Sequence, residues 1–276
     1  MSDISNMAFV DSSAQIGENV IIEPFAYVGK DAVIEDNVVI KANARVEHAT
    51  IGAGTVISSG AVVGSEPQDL GYKNEPTRVI VGKGCQIREH ATINRASGEG
   101  NNTVIGDRCL LMTGSHVAHN CVLGDEVIFA NLVTIAGHCH VGMGAFIGGM
   151  CVVHQHVRIG EMVICSGFSA TRQDIPPYAK VDGRPMTIYG TNVIGLRRRG
   201  LSQDERTALK RAYKYLWYSD LPLAEGIKAV RENVEMNKYV ENLLEFCETT
   251  KRGIHGAKPV SFSNKEKESD NTEALV

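Results

Sequence analysis

The chain has 276 residues, 43% of them hydrophobic and 22% charged, with a formal net charge of -4 and seven cysteines. That balance gives no support to a nucleic-acid binder held by bulk positive charge, and no run approaches the roughly 20 apolar residues of a membrane span. The N-terminus, MSDISNMAFV, has no basic region followed by an apolar run, so the protein is expected in the cytoplasm.

From the N-terminus an aliphatic residue returns at every sixth position: Val10, Ile16, Ile22, Val28, Ile34, Ile40 and Val46. After one residue is skipped, Ile51, Ile57 and Val63 resume the series. Two polar stretches rich in Pro, Gly and Asn then interrupt it, Ser65 to Arg78 and Ala96 to Asn102, and read as loops thrown out between repeats. In a solenoid such insertions usually decorate the binding face. The pattern is strongest from Ile105 through Leu111, Val117, Leu123, Phe129, Ile135, Val141, Ile147, Val153 and Ile159, and loosens at Cys165 and Thr171.

Neither a helix of 3.6 residues per turn nor a flat strand of period two satisfies a period of six, which marks a hexapeptide-repeat β-helix. Fifth positions are small or slim (Cys109, Ser115, Cys121, Val127, Val133, Cys139), as a narrow interior demands. Second positions are often Gly or Ala, which is read as tolerance of the tight bends. Five cysteines, Cys85, Cys109, Cys121, Cys139 and Cys151, occupy the inward fifth position, and no C-x-x-C pair occurs, so they are expected to be structural thiols with no bound metal.

Past Pro177 helical signals begin. Ser202 with Glu205 forms a capping box, and Leu209, Tyr213, Leu216 and Trp217 share one helical face, whose simple reading is core packing. Shorter helices are expected from about Leu223 to Val234 and from about Lys238 to Thr250, and a polar tail from about Ala257. The predicted fold is all-β, a left-handed parallel β-helix over residues 1–190, followed by an α-helical domain over 191–254 and a disordered tail over 255–276.

Six of the nine histidines (His116, His119, His138, His140, His154, His156) crowd into a short stretch at hexad positions that face outward, which makes them a site candidate. Three hexads make a coil of 18 residues, so residues 18 apart should stack about 4.8 Å from one another. His119 then lies over Gly137, and Asn120, His138 and His156 form one column. A general base against a glycine amide suits acyl transfer.

The segments PQDLGY (67–72), INRAS (93–97), HVAHN (116–120), AGH (136–138), GGMCVVHQ (148–155), QDIPPY (173–178) and GLRRRG (195–200) resemble, in order, the acyl-carrier-protein-dependent UDP-N-acetylglucosamine O-acyltransferases, which begin lipid A synthesis. The resemblance implies a homotrimer with sites in the clefts between subunits and no cofactor beyond the donor, acyl carrier protein with its phosphopantetheine thioester. It implies His119 as general base and Gly137 as the oxyanion amide. It also implies substrate contacts at Gln68, Asp69, His116, His138, His154, Gln155, Asn192 and Arg198, and an acyl groove left open by Gly167.

Arg197, Arg198, Arg199, Arg206, Lys210, Arg211 and Lys214 face only Asp204 and Glu205, a local balance of 7 − 2 = +5 that suits docking of an acidic carrier protein. Three positions depart from the family pattern. Asn120 stands where Asp is common, so a carboxylate orienting His119 would come from elsewhere; Gly71 stands for Lys and Ile194 for Glu. Competing readings are transfer to a 3-amino sugar nucleotide, a γ-class carbonic anhydrase with zinc on histidines, a non-catalytic scaffold, and an N-acyltransferase of the same pathway.

Overall fold

A computed structural model of the chain describes residues 2–256. The expected tail from residue 257 onward lies outside the described residues. His255, which the sequence reading gives to that tail, is instead buried, its Nε2 2.6 Å from the Thr171 hydroxyl.

Each hexad forms a two-residue strand and a corner, and three hexads complete one left-handed coil. The strands stack into three parallel sheets: a first of eleven strands beginning at Asp3–Ile4, a second of nine beginning at Phe9–Val10, and a third of eight beginning at Gln15–Ile16. Above the insertions the register is the expected step of 18, with Val117 paired to Ile135, Ile135 to Val153 and Val153 to Thr171. The first-position residues point inward and are buried from Ile22 onward, with Val10 and Ile16 half-buried at the open end, and the series continues through Cys165 and Thr171. A hydroxyl is tolerated at this last inward position because Thr171 donates to the Gln173 carbonyl at 2.6 Å and also meets His255.

The seven cysteines are free and buried. Sγ of Cys85, Cys109, Cys121, Cys139 and Cys151 each lies 3.0–3.2 Å from a carbonyl oxygen of the next coil, which suits slim side chains with a weak donor and confirms their place in the wall.

The bends are made differently from the sequence reading. Positive φ falls on the fourth position, at non-glycine residues such as Asn120 (59°), Leu132 (62°), His138 (60°) and His156 (63°). The second-position glycines are small for another reason: a Cβ on Gly142 would lie 2.4 Å from the Glu161 nitrogen, and one on Gly160 2.3 Å from the Pro177 nitrogen. They permit coil-to-coil backbone approach. The tightest case is Gly64, where the register shifts between Val63 and Ser65. A Cβ there would sit 1.6 Å from the Glu47 carbonyl oxygen, at a φ of +90°. Gly64→Ala is therefore expected to lower unfolding free energy by at least about 2 kcal/mol in denaturant titration.

Helix α1 (Val193–Arg198), which the sequence reading missed, is followed by α2 (Gln203–Trp217), α3 (Leu223–Asn233) and α4 (Lys238–Glu248). The capping box of Ser202 and Glu205 is present, and Leu209, Tyr213 and Leu216 are buried as the aromatic stripe implied. Tyr213 donates its hydroxyl to the Pro177 carbonyl, and Asn242 of α4 donates to the Tyr178 hydroxyl at 2.8 Å, so the helices close the C-terminal end of the prism. Among the described residues no helix is long and apolar enough to cross a membrane.

Candidate active site

Both insertions leave the prism at the corner between the second and third sheets, the same corner that carries His119 one coil above the second insertion and Gly137 and His138 two coils above it. The 66–77 loop is tied down by a buried guanidinium. Arg95 donates to the Tyr72 hydroxyl (3.0 Å) and the Gly64 carbonyl (3.0 Å) and pairs with Glu66 (3.5 Å), while Asn94 donates to the Glu66 carbonyl (2.9 Å). Glu75 accepts from the Gly98 N–H at 2.6 Å, which knits the two loops together.

His119 is half-buried at this corner. Its Cε1 and Nε2 lie 2.7 Å from where a Cβ on Gly137 would be, so the ring occupies space that exists only because residue 137 has no side chain. Among the described residues no hydrogen bond engages the Gly137 N–H. The predicted column is also present: the His138 and His156 rings stack at 4.6 Å, and His119 meets His138 edge to face at 5.2 Å.

His116 is bonded through Nδ1 to the Thr92 hydroxyl at 2.7 Å. Burial holds its proton affinity, and that of His138, below the usual imidazole range, so both rings are neutral near pH 7. Asp69 lies within electrostatic reach of His119 and His138. The Gly71 N–H, donated to its Oδ1 at 2.8 Å, then the Ser97 side chain, hold its carboxyl below the ordinary carboxylate value. Gly71 therefore serves the turn that presents Asp69. Gln68, beside it, is exposed.

The orienting partner of His119 is not a distant carboxylate. Asn120 itself supplies it, with Oδ1 2.8 Å from Nδ1 of His119. The sequence reading named Asn120 only as a column member and a departure from Asp and looked elsewhere for the orienting group; it gave no role to Ser97, Thr92 or Arg252, whose guanidinium lies 2.9 Å from Nδ1 of the exposed His154. Gln155, one coil beyond Gly137, is exposed on the same corner.

Three predicted residues stand elsewhere. Gly167 is exposed at the corner between the first and second sheets, where an added Cβ would meet only the Gly149 carbonyl (3.1 Å) and amide (3.7 Å). Asn192 and Arg198 belong to α1, at the corner between the third and first sheets. There Asn192 caps the helix through the Gly195 N–H (3.0 Å) and donates to the Met162 carbonyl (2.9 Å). Arg199 holds α1 to the same corner by its 2.8 Å ion pair with Glu126. Arg206 is engaged with the Leu201 carbonyl and Gln203, and Arg211 with the Asn233 carbonyl at 2.8 Å, which leaves Arg197, Arg198, Lys210 and Lys214 as the exposed cations of the basic patch.

Coils of this kind, with side chains of catalytic type gathered along one corner and loops inserted over them, are the architecture of the hexapeptide-repeat transferases. A family model for bacterial transferase hexapeptides matches residues 13–48 and 102–137, and one for the second domain of UDP-N-acetylglucosamine O-acyltransferases matches residues 174–255. An acyl-(acyl-carrier-protein)-UDP-N-acetylglucosamine O-acyltransferase of Chlamydia caviae is 45% identical over 92% of this chain and 92% of its own length, and one of Thermodesulfovibrio yellowstonii is 40% identical over 92% and 99%. The solved UDP-N-acetylglucosamine acyltransferase of Campylobacter jejuni, 40% identical, superposes with a TM-score of 0.88 over 93% of this chain and all of that one. The Bacteroides fragilis structure gives 0.89 at 37% identity, over 91% of this chain and 99% of that one. The chain belongs to the UDP-N-acetylglucosamine O-acyltransferase family.

Proposed function

We propose that this protein transfers a 3-hydroxyacyl group from acyl carrier protein to the 3-hydroxyl of UDP-N-acetylglucosamine, the opening step of lipid A synthesis. The observation that carries the reading is the His119 imidazole against the bare Gly137 amide, in a chain that matches this family along its length. Nε2 of His119 takes the proton of the sugar hydroxyl as its oxygen attacks the thioester carbonyl. The Gly137 N–H meets the developing oxyanion. Collapse expels the pantetheine thiolate, which recovers the proton from the imidazolium, so no net acid or base is consumed. Asp69, Gln68, His138, His154 and Gln155 line the same corner, with His116 beside it on the second sheet, and grip the acceptor. The zinc-hydratase and scaffold readings account for neither the 66–77 loop nor the helices.

The working form is a homotrimer. Two observations support it: Asn192 and Arg198, which the family resemblance puts near the substrate, lie one prism edge away from His119, and the first sheet presents an outward column of Ile21, Val39, Val56, Leu110, Ile128, Phe146 and Ile164 that only Gln86, between Val56 and Leu110, interrupts. Three chains of 29.9 kDa should scatter light as a particle of about 90 kDa. The exposed cations of the basic patch steer the acidic carrier protein, an effect expected on encounter rate more than on final affinity.

The acyl arm lies along the second sheet between the His154 and Gly167 corners. A cavity of about 670 Å³ opens there, with Val152, Ala170 and Pro185 in its wall. With Gly167 bare, carrier proteins loaded with longer 3-hydroxyacyl chains should be preferred. Gly167→Met is expected to reverse that preference in competition assays, and equal use of short chains by the unaltered enzyme would contradict the groove. The decisive test of the whole reading mixes the protein with a 3-hydroxyacyl carrier protein and either UDP-N-acetylglucosamine or its 3-amino analogue, and weighs the product. An ester on the first nucleotide is expected; an amide on the second alone would overturn it.

A further inference from the structure

We infer that Asn120 and the main chain of Ser97 form a neutral positioning device that locks His119 in the tautomer protonated at Nδ1, leaving the Nε2 lone pair toward Gly137. The inference rests on His119 being the base and says how it is made ready.

The logic is one of obligatory donors and acceptors. The Ser97 N–H donates to Oδ1 of Asn120 at 2.9 Å, and Nδ2 of Asn120 donates to the Ser97 carbonyl at 3.0 Å. A backbone N–H can only donate and a backbone C=O can only accept, so the amide cannot be flipped without losing both bonds. Oδ1 is therefore the atom that faces Nδ1 of His119 at 2.8 Å. An amide oxygen only accepts, so in the neutral ring Nδ1 carries the hydrogen and Nε2 the lone pair. The Asn120 backbone is held as well, its N–H donating to the Thr103 hydroxyl at 2.9 Å in a left-handed conformation that Asn adopts readily.

This arrangement is built for an amide. A carboxylate at position 120 would turn an oxygen onto the Ser97 carbonyl, two acceptors about 3 Å apart, where Nδ2 now donates. The charged and titratable groups around His119 are His138 from the next coil, His116 from the second sheet and Asp69 from the 66–77 loop. None of them bonds its Nδ1. The imidazolium formed during the reaction therefore has a dipole at Nδ1 in place of an anion, with the Asp69 carboxylate acting only across the cleft.

Histidine-selective 15N NMR of the unaltered protein, with the His119 signals assigned by their loss in His119→Ala, reads the tautomer directly. The expected pattern is a protonated Nδ1 and an unprotonated Nε2; the opposite tautomer, or an equal mixture, sinks the inference. Asn120→Ala should scramble the tautomer and lower kcat roughly 10- to 100-fold with KM within about twofold. Asn120→Asp should keep Nδ1 protonated but move the acid limb of the kcat/KM pH profile upward by about one unit, as an added anion beside an imidazole does. An Asn120→Asp profile that superposes on the parent overturns the idea of a neutral partner. Should His119→Ala retain turnover, the assignment of the base fails instead, which separates the two claims.

Discussion

Replacing His119 by alanine is expected to lower kcat by about 10²- to 10⁴-fold, the range that a positioned general base contributes. Substrate affinity should change little, because the loops that carry Gln68 and Asp69 are fastened through Arg95, Asn94 and Glu75 and not through the imidazole. Stability should be nearly unaltered, since the ring is half-buried at a corner and outside the packed interior. The measurement is steady-state turnover with saturating acyl carrier protein, alongside circular dichroism and light scattering. A folded, assembled His119→Ala enzyme within tenfold of the parent would remove the base from the mechanism.

Gly137→Ala should be nearly as damaging for a different reason. The backbone φ at this position is not positive, so alanine is conformationally allowed. Its methyl group would nevertheless stand 2.7 Å from both Cε1 and Nε2 of His119. Real carbon contacts do not close to that distance, so the imidazole must swing off the corner, and with it goes the alignment of base, attacking oxygen and oxyanion donor. Displacements of about 1 Å at a reacting centre cost on the order of 10²-fold, and a blocked oxyanion donor costs about 10²- to 10³-fold. We expect kcat/KM to fall by at least about 10²-fold with a thermal midpoint close to the parent's. A fully active Gly137→Ala enzyme would mean that the space above this glycine is not used.

The ease with which the His119–Gly137 and His138–His156 pairs were read from the chain has a simple origin. Between Ile105 and Thr171 every coil has the same length of 18 residues, so sequence separation converts directly to height on the prism. Across the insertions the conversion fails. Thr92 pairs with His116 across 24 residues and Val62 with Thr92 across 30, and no fixed step would have found the Thr92 hydroxyl against the His116 ring. Ser97 reaches Asn120 across 23 residues for the same reason. Helix α1 has six residues, too few for a period to declare itself, and Arg252 meets His154 from 98 residues away in a segment with no pattern. The second-position glycines were noticed for a real constraint but given the wrong cause, because a sequence displays smallness and not which neighbour requires it.

By itself, then, the sequence determined the prism, its coil height, the inward thiols and the corner on which the histidines gather, because a repeated main-chain hydrogen-bonding pattern is a local code that every hexad restates. Only the tertiary structure decided what holds those histidines: the Ser97–Asn120 bond pair beside His119, the buried Arg95 beneath the substrate loop, and the placing of α1 on a different edge from the base. Those depend on irregular loops whose side chains find partners far along the chain, where no period links residue number to position in space.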